Sequence, residues 1–175
     1  MTEAQPTRLW GGRFADGPSD AMAALSRSVH FDWRLAPYDI QQTQAHAKVL
    51  HAAGLLTDAE LASVSSALTA LAQEVTSGAV VPTADDEDVH TAIERQLISR
   101  LGELGGKLRA GRSRNDQVAT DFRLYLRDQA RLIAHEVITL QSALLAQAHD
   151  HVDTTSPGFT HLQHAQPVSL SLIHI

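Results

Sequence analysis

The chain has no cysteine among its 175 residues. Disulfide cross-links and thiolate metal centres are thereby excluded. Aromatic residues are scarce, at 5% of the chain, and charged residues make up only 19%. The 43% that is hydrophobic is dominated by alanine and leucine, which suits helices and argues against a β-rich fold. Positive charge is in deficit: the formal net charge is −6 and the pI near 5.9, which offers nothing to a nucleic-acid backbone. No apolar run approaches the roughly 18 residues that a membrane span requires. The N-terminus has no apolar signal core, so the expected setting is the cytoplasm. There is no internal repeat, no Gly-x-Ser-x-Gly elbow and no Ser–His–Asp set.

A further absence is the most informative. Neither glycine nor proline occurs between Arg112 and Ser156. Within that stretch Val118, Phe122, Tyr125, Leu126, Ile133, Val137, Leu140 and Leu144 recur on steps of three, four or their sums. The period, running from Val118 to about Ser156, predicts one helix of about 38 residues and roughly 57 Å at 1.5 Å per residue. A helix that long belongs in a large bundle or an assembly. The expected class is therefore all-α: a smaller N-terminal helical domain with an extended arm over residues 1–112, then the start of a central helix bundle over 113–175.

The start of this helix is chemically dense. Gly111-Arg112-Ser113-Arg114-Asn115-Asp116-Gln117 puts a capping serine and a capping-box aspartate between two arginines and two amides. A helix N-terminus favours anions, and arginine offers carboxylates a planar fork. Two readings stand: a carboxylate-binding site, or a well-capped helix with solvated arginines.

Earlier in the chain, Trp10-Gly11-Gly12-Arg13-Phe14 reads either as an ordered arm packed on a neighbour or as a loose tail. A short helix is expected from Ser19 to Leu25, then irregular or extended chain from Ser26 to Asp32, then a helix from Trp33 to Ala53 with a weak apolar stripe, capped at Gly54. Thr57 and Glu60 form a capping box that opens a helix with Leu61, Val64, Leu68, Leu71 and Val75 on one face, closed by Gly78. The acidic run Asp85-Asp86-Glu87-Asp88 suits the dipole of the next helix, which is expected to bury Val89, Ala92, Ile93, Gln96 and Leu97. His90 and Glu94 fall one turn apart on its other face, where a histidine is most often surface, though a neighbouring carboxylate would poise it near neutral pH. Gly102, Gly105, Gly106 and Gly111 fit neither a Walker A nor a dinucleotide fingerprint and read as a hinge. Past the long helix, Pro157-Gly158 suggests a turn that leaves Thr160 and His161 on a loop between helices, a reasonable place for an acid/base histidine. The spacing of His149, His151, His161 and His164 matches no standard zinc set, and no metal site is expected.

Four stretches taken together resemble the argininosuccinate lyases, a family of the fumarase/aspartase superfamily. They are Leu9-Trp10-Gly11-Gly12-Arg13-Phe14, Asp86-Glu87-Asp88-Val89-His90-Thr91, Gly111-Arg112-Ser113-Arg114-Asn115-Asp116-Gln117-Val118 and Thr160-His161-Leu162-Gln163, in matching order and spacing. The resemblance implies an all-α homotetramer built on long central helices. It implies reversible elimination of argininosuccinate to L-arginine and fumarate in arginine biosynthesis, with no metal or organic cofactor. Carried over motif by motif, it implies substrate contacts at Ser28, Asn115 and Thr160, joined at the helix start by Ser113 and Arg114. Asp88 and His90 are implicated in the same site, and His161 corresponds to the family's catalytic histidine.

The chain departs from the family after Val168, where Ser169-Leu170-Ser171-Leu172-Ile173-His174-Ile175 replaces the start of a further long helix. The family's mobile loop, which carries a second acid/base serine, has no counterpart. The expectation is a truncated part of a lyase, inactive and poorly stable alone. Alternatives are a sister lyase acting on adenylosuccinate, fumarate or aspartate, a structural protein derived from the lyase fold, and a helical interaction module.

Overall fold

A computed structural model of the chain describes residues 19–169. The Trp10–Phe14 motif and the sequence after Ser169 lie outside the described residues. The elements are α1 (Asp20–Ser26), α2 (Val29–Asp32), a 3₁₀ turn (Trp33–Leu35), α3 (Ala36–Ala52), α4 (Asp58–Ser77), α5 (Val89–Leu101), α6 (Glu103–Lys107), α7 (Arg114–Asp150) and two strands, β1 (Thr155–Thr160) and β2 (Gln163–Ser169). The fold is all-α apart from that one hairpin. No helix among the described residues is long and apolar enough to cross a membrane.

The chain divides into two units, the first ending at Tyr125 and the second beginning at Leu126. In the first, α3, α4 and α5 pack around Ile40, Leu50, Val64, Leu68, Leu71, Val89, Ile93 and Leu97. α4 keeps closely to its sequence signals. The Thr57 hydroxyl accepts from the Glu60 amide, the Glu60 carboxylate accepts from the Thr57 amide, and Gly78 ends the helix at φ 75° in the left-handed region. Leu61 and Val75 edge the stripe whose centre, Val64, Leu68 and Leu71, is fully buried.

The weak stripe of α3 has a physical cause: its inner face carries Asp39, Gln42 and Thr43 between Ile40, Ala47 and Leu50, and all six are buried. An apolar-periodicity reading scores such a face as mixed. Where irregular chain was expected between Ser26 and Asp32, α2 forms a single turn, held because the Ser28 and Val29 amides donate to the Glu87 carbonyl at 2.8 and 3.2 Å. The glycine-rich stretch is not an open hinge throughout. It contains α6, and Gly105 presses against α5 so closely that a Cβ there would lie 2.7 Å from the Leu97 carbonyl oxygen. Gln96, expected to be buried, is only partly so.

The second unit holds the rest of α7 and the hairpin. α7 is a single helix of 37 residues, ending at Asp150 rather than near Ser156. Val152, Thr154 and Thr155 then favour extended chain. Thr160 and His161, expected on a loop between helices, belong instead to a strand and a hairpin turn. β1 and β2 pair antiparallel with Thr160 opposite Gln163 and Phe159 opposite His164, and Gly158 lies at a bulge. The reversal is made by His161 and Leu162 at φ 50° and 60°, while Pro157 and Gly158 lie within the strand. Two left-handed residues form the hairpin turn usually given to Asn-Gly, which is why the sequence concealed it.

Candidate active site at two helix starts

The first unit brings the N-terminus of α5 against that of α7. Asp88 caps α5: its carboxylate accepts from the Thr91 amide and hydroxyl, both at 2.6 Å. The same carboxylate lies 3.8 Å from Nε of Arg114, the first residue of α7, whose Nη2 is 3.6 Å from Glu94. At the α7 start the Asp116 carboxylate accepts from the Ser113 amide at 3.0 Å, while the Ser113 hydroxyl accepts from the Asn115 amide at 3.2 Å. Ser113 and Asn115 are exposed, and with these amides taken up by the cap the donors they offer are the Ser113 hydroxyl and the Asn115 side-chain amide.

Ser28 is tied to the same place from α2. Its hydroxyl donates to Asp32 at 2.6 Å, and the other Asp32 oxygen accepts from the Val89 amide at 3.1 Å. One aspartate thus fixes Ser28 to the first residue of α5, beside Asp88 and His90.

His90 corrects the sequence expectation. It is 2% exposed rather than on the surface. Its Nδ1 lies 3.2 Å from Asp39 of α3 and 3.6 Å from Asp121 of α7, both carboxylates being buried. Burial opposes charge on the ring, but the hydrogen bond and charge of Asp39, helped by Asp88, raise the His90 pKa above its ordinary value despite Arg114. The Asp121 carboxyl is pushed up to about 7, chiefly by burial and then by Asp39. Gln42 donates to Asp121 and, at 3.0 Å, to the Gln117 carbonyl. Arg112 donates to Thr43 at 3.0 Å, and burial lowers its pKa against the pull of Asp39 and Asp121. Asp39, His90 and Asp121 could each offer a metal one ligand atom, all within 4.8 Å of one another. The acidic run is also more than a dipole partner, since buried Asp86 takes both prongs of Arg95 at 2.7 and 2.8 Å.

Sequence reasoning missed Asp39, Gln42 and Asp121 as parts of this cluster, and had Arg112 at the helix start as a carboxylate-binding or solvated arginine rather than a half-buried one. The available signal was the run of polar residues on the inward stripe of α3, together with Asp121 one turn beyond Gln117 on α7. Thr160 and His161 belong to the second unit, at the exposed tip of the hairpin. A left-handed backbone at a non-glycine residue costs roughly 1–2 kcal/mol, and such positions cluster at functional sites.

The sequence pattern of the family described as "Lyase" matches residues 12–174. Proteins named argininosuccinate lyase are similar: that of Saccharopolyspora erythraea is 63% identical over 170 residues, 97% of this chain and 35% of the relative. That of Frankia casuarinae is 64% identical over 162 residues, covering 93% and 35%, and that of Thermobifida fusca is 61% identical over 170 residues, covering 97% and 36%. The chain thus spans about a third of the length of the curated relatives it matches. With the family pattern running over nearly all of its residues and an all-helical body carrying the paired helix starts, the chain belongs to the lyase family of fumarase/aspartase type.

Proposed function

We propose that this chain supplies part of the active site of an argininosuccinate lyase, which reversibly splits argininosuccinate into L-arginine and fumarate in cytoplasmic arginine biosynthesis. The observation that carries this reading is the meeting of Asp88, His90 and Arg114 at two helix starts, with Ser28 bound to the same place. The substrate is anionic, and its carboxylates suit the exposed side-chain donors of Ser113 and Asn115 with the half-buried Arg114 guanidinium between them.

The residue types dictate the chemistry. A proton leaves the carbon beside a carboxylate, and the electron pair left behind gives a dianionic aci-carboxylate. Fixed donors at a helix N-terminus stabilise such charge. The pair then forms the carbon–carbon double bond of fumarate as the carbon–nitrogen bond breaks, and the departing guanidino nitrogen keeps the bonding electrons and takes a proton. His161 is a general acid/base in this exchange, and Thr160 beside it contacts substrate. No metal or organic cofactor is needed. The working protein is a homotetramer with sites shared between subunits, a division at 112/113 separates its N-terminal domain from its bundle, and neither nucleic acid nor membrane is a partner.

The test is a chimera in which residues 12–168 replace the matching third of the Saccharopolyspora erythraea relative. Fumarate release is measured with argininosuccinate, adenylosuccinate and aspartate. Release from argininosuccinate alone supports the reading. A folded chimera that prefers another substrate points to a sister lyase, and one inert to all three points to a structural protein.

A further inference from the structure

Beneath the paired helix starts lies a buried polar cluster that the proposed elimination does not itself consume. Asp39, His90 and Asp121 come from α3, α5 and α7, and are 1%, 2% and 0% exposed. Two carboxylates removed from water cost several kcal/mol each unless they are compensated. Arg112, two residues before α7, gives its hydrogen bond to Thr43 instead, and among the described residues its buried Nε has no hydrogen-bond partner. Gln42 serves one oxygen of Asp121, whereas the other, Oδ2, has no hydrogen-bond partner among the described residues and faces Nδ1 of His90 at 3.6 Å. A bound proton at this point removes the deficit.

We infer that Asp39 and Asp121 are positioning residues for His90: from α3 and α7 they clamp Nδ1 of its ring, and the three side chains retain a proton that keeps the imidazole a donor beside the substrate site. This rests on the reading of His90 as part of that site, but the clamp itself is visible without any reaction. The charged groups facing the ring are Asp39 from α3, Asp88 from its own helix, and Arg114 and Asp121 from α7. Their balance favours the protonated ring, and Asp121 ionises only near neutrality. A cationic His90 adds to the field at the α7 tip that favours an anion. The clamp also couples α3, α5 and α7, so the pose of the ring depends on all three. A divalent cation is the competing occupant, because two carboxylates and an imidazole suit one, and it would displace the proton.

The test monitors the His90 ring nitrogens by NMR against pH in the 175-residue chain, in wild type and in Asp39→Asn, Asp39→Glu and Asp121→Asn. The wild-type ring is expected to titrate above the ordinary value of about 6.5. Asp39→Asn should lower its proton affinity about tenfold or more, Asp121→Asn should lower it less, and Asp39→Glu should restore it. A wild-type midpoint at or below the ordinary value, or one unmoved by Asp39→Asn, overturns the inference. Zinc added in excess should leave the ring signals in place, and a zinc-dependent shift at Nδ1 overturns it in favour of a metal site. If Asp39→Asn does not fold, Asp121→Asn carries the test, supported by the chimera's pH profile: the kcat/KM limb must move to lower pH and KM must change less than kcat. An inactive chimera with the His90 titration intact sinks the functional reading and leaves the clamp standing.

Discussion

The hydroxyl of Ser28 donates to Asp32 at 2.6 Å, and the opposite oxygen of that carboxylate accepts from the backbone of Val89 at 3.1 Å. A residue proposed to touch substrate is therefore fixed to α5 through one side chain. Asp32→Ala removes the shared acceptor and leaves a part-buried amide unpaired, which should destabilise the first unit by about 1–3 kcal/mol. Urea unfolding of the chain, monitored by helical signal, measures it. Ser28→Ala should cost distinctly less, since the Val89 contact survives.

Packing makes a sharper demand at Gly105. A methyl group there meets the Leu97 carbonyl at 2.7 Å, a backbone atom that cannot step aside. Gly105→Ala should destabilise the chain by roughly 1–3 kcal/mol. Neighbouring Gly106 has open space at its Cβ position, so Gly106→Ala should be neutral or slightly stabilising. Equal losses from the two substitutions in thermal melts would show that α6 does not press on α5 as described.

Stability should also fall as pH rises through neutrality. His90 has a raised pKa when folded, so its contribution is present below its unfolded value and is lost as pH climbs through the folded one. Asp121, pushed up to about 7, acts in the same direction: between the ordinary carboxylate range and about 7 the folded chain holds a proton that the unfolded chain releases. Asp86 has the opposite sign. Its folded pKa is lowered because the Arg95 hydrogen bonds and the Thr83 donors outweigh its burial, and its contribution is lost only in acid. Urea midpoints between about pH 5 and 8 should therefore decline, and Asp121→Asn should flatten the decline.

The apolar stripe of α7 predicts self-association. Ile133, Leu140 and Leu144 are 63%, 60% and 52% exposed. Exposed apolar surface of that extent marks an interaction face. The isolated chain should sediment above monomer mass and release no fumarate from argininosuccinate. A monomer with a sharp two-state melt, or measurable turnover, would contradict this.

Much of this was legible in the residues. The capping box at Thr57 and Glu60, the α4 stripe and the length of α7 are local signals, and local signals survive folding. The motif at the α7 start located half of the candidate site. Its other half was hidden because burial of a polar residue is a tertiary fact. His90 looked like surface, and Asp39 looked like a defect in a weak stripe, until α3, α5 and α7 came together around them. The hairpin escaped because His161 and Leu162 occupy turn positions where glycine or asparagine normally announces the reversal.

His161, at this strained turn, is the residue proposed to move the proton of the elimination. In the chimera with the Saccharopolyspora erythraea relative, His161→Asn should lower kcat for fumarate release from argininosuccinate by about 10²–10⁴-fold with the oligomeric state unchanged, as expected for loss of a general acid/base. The exposed His149→Asn should leave it unchanged. A His161→Asn chimera that turns over at the parental rate would contradict the account.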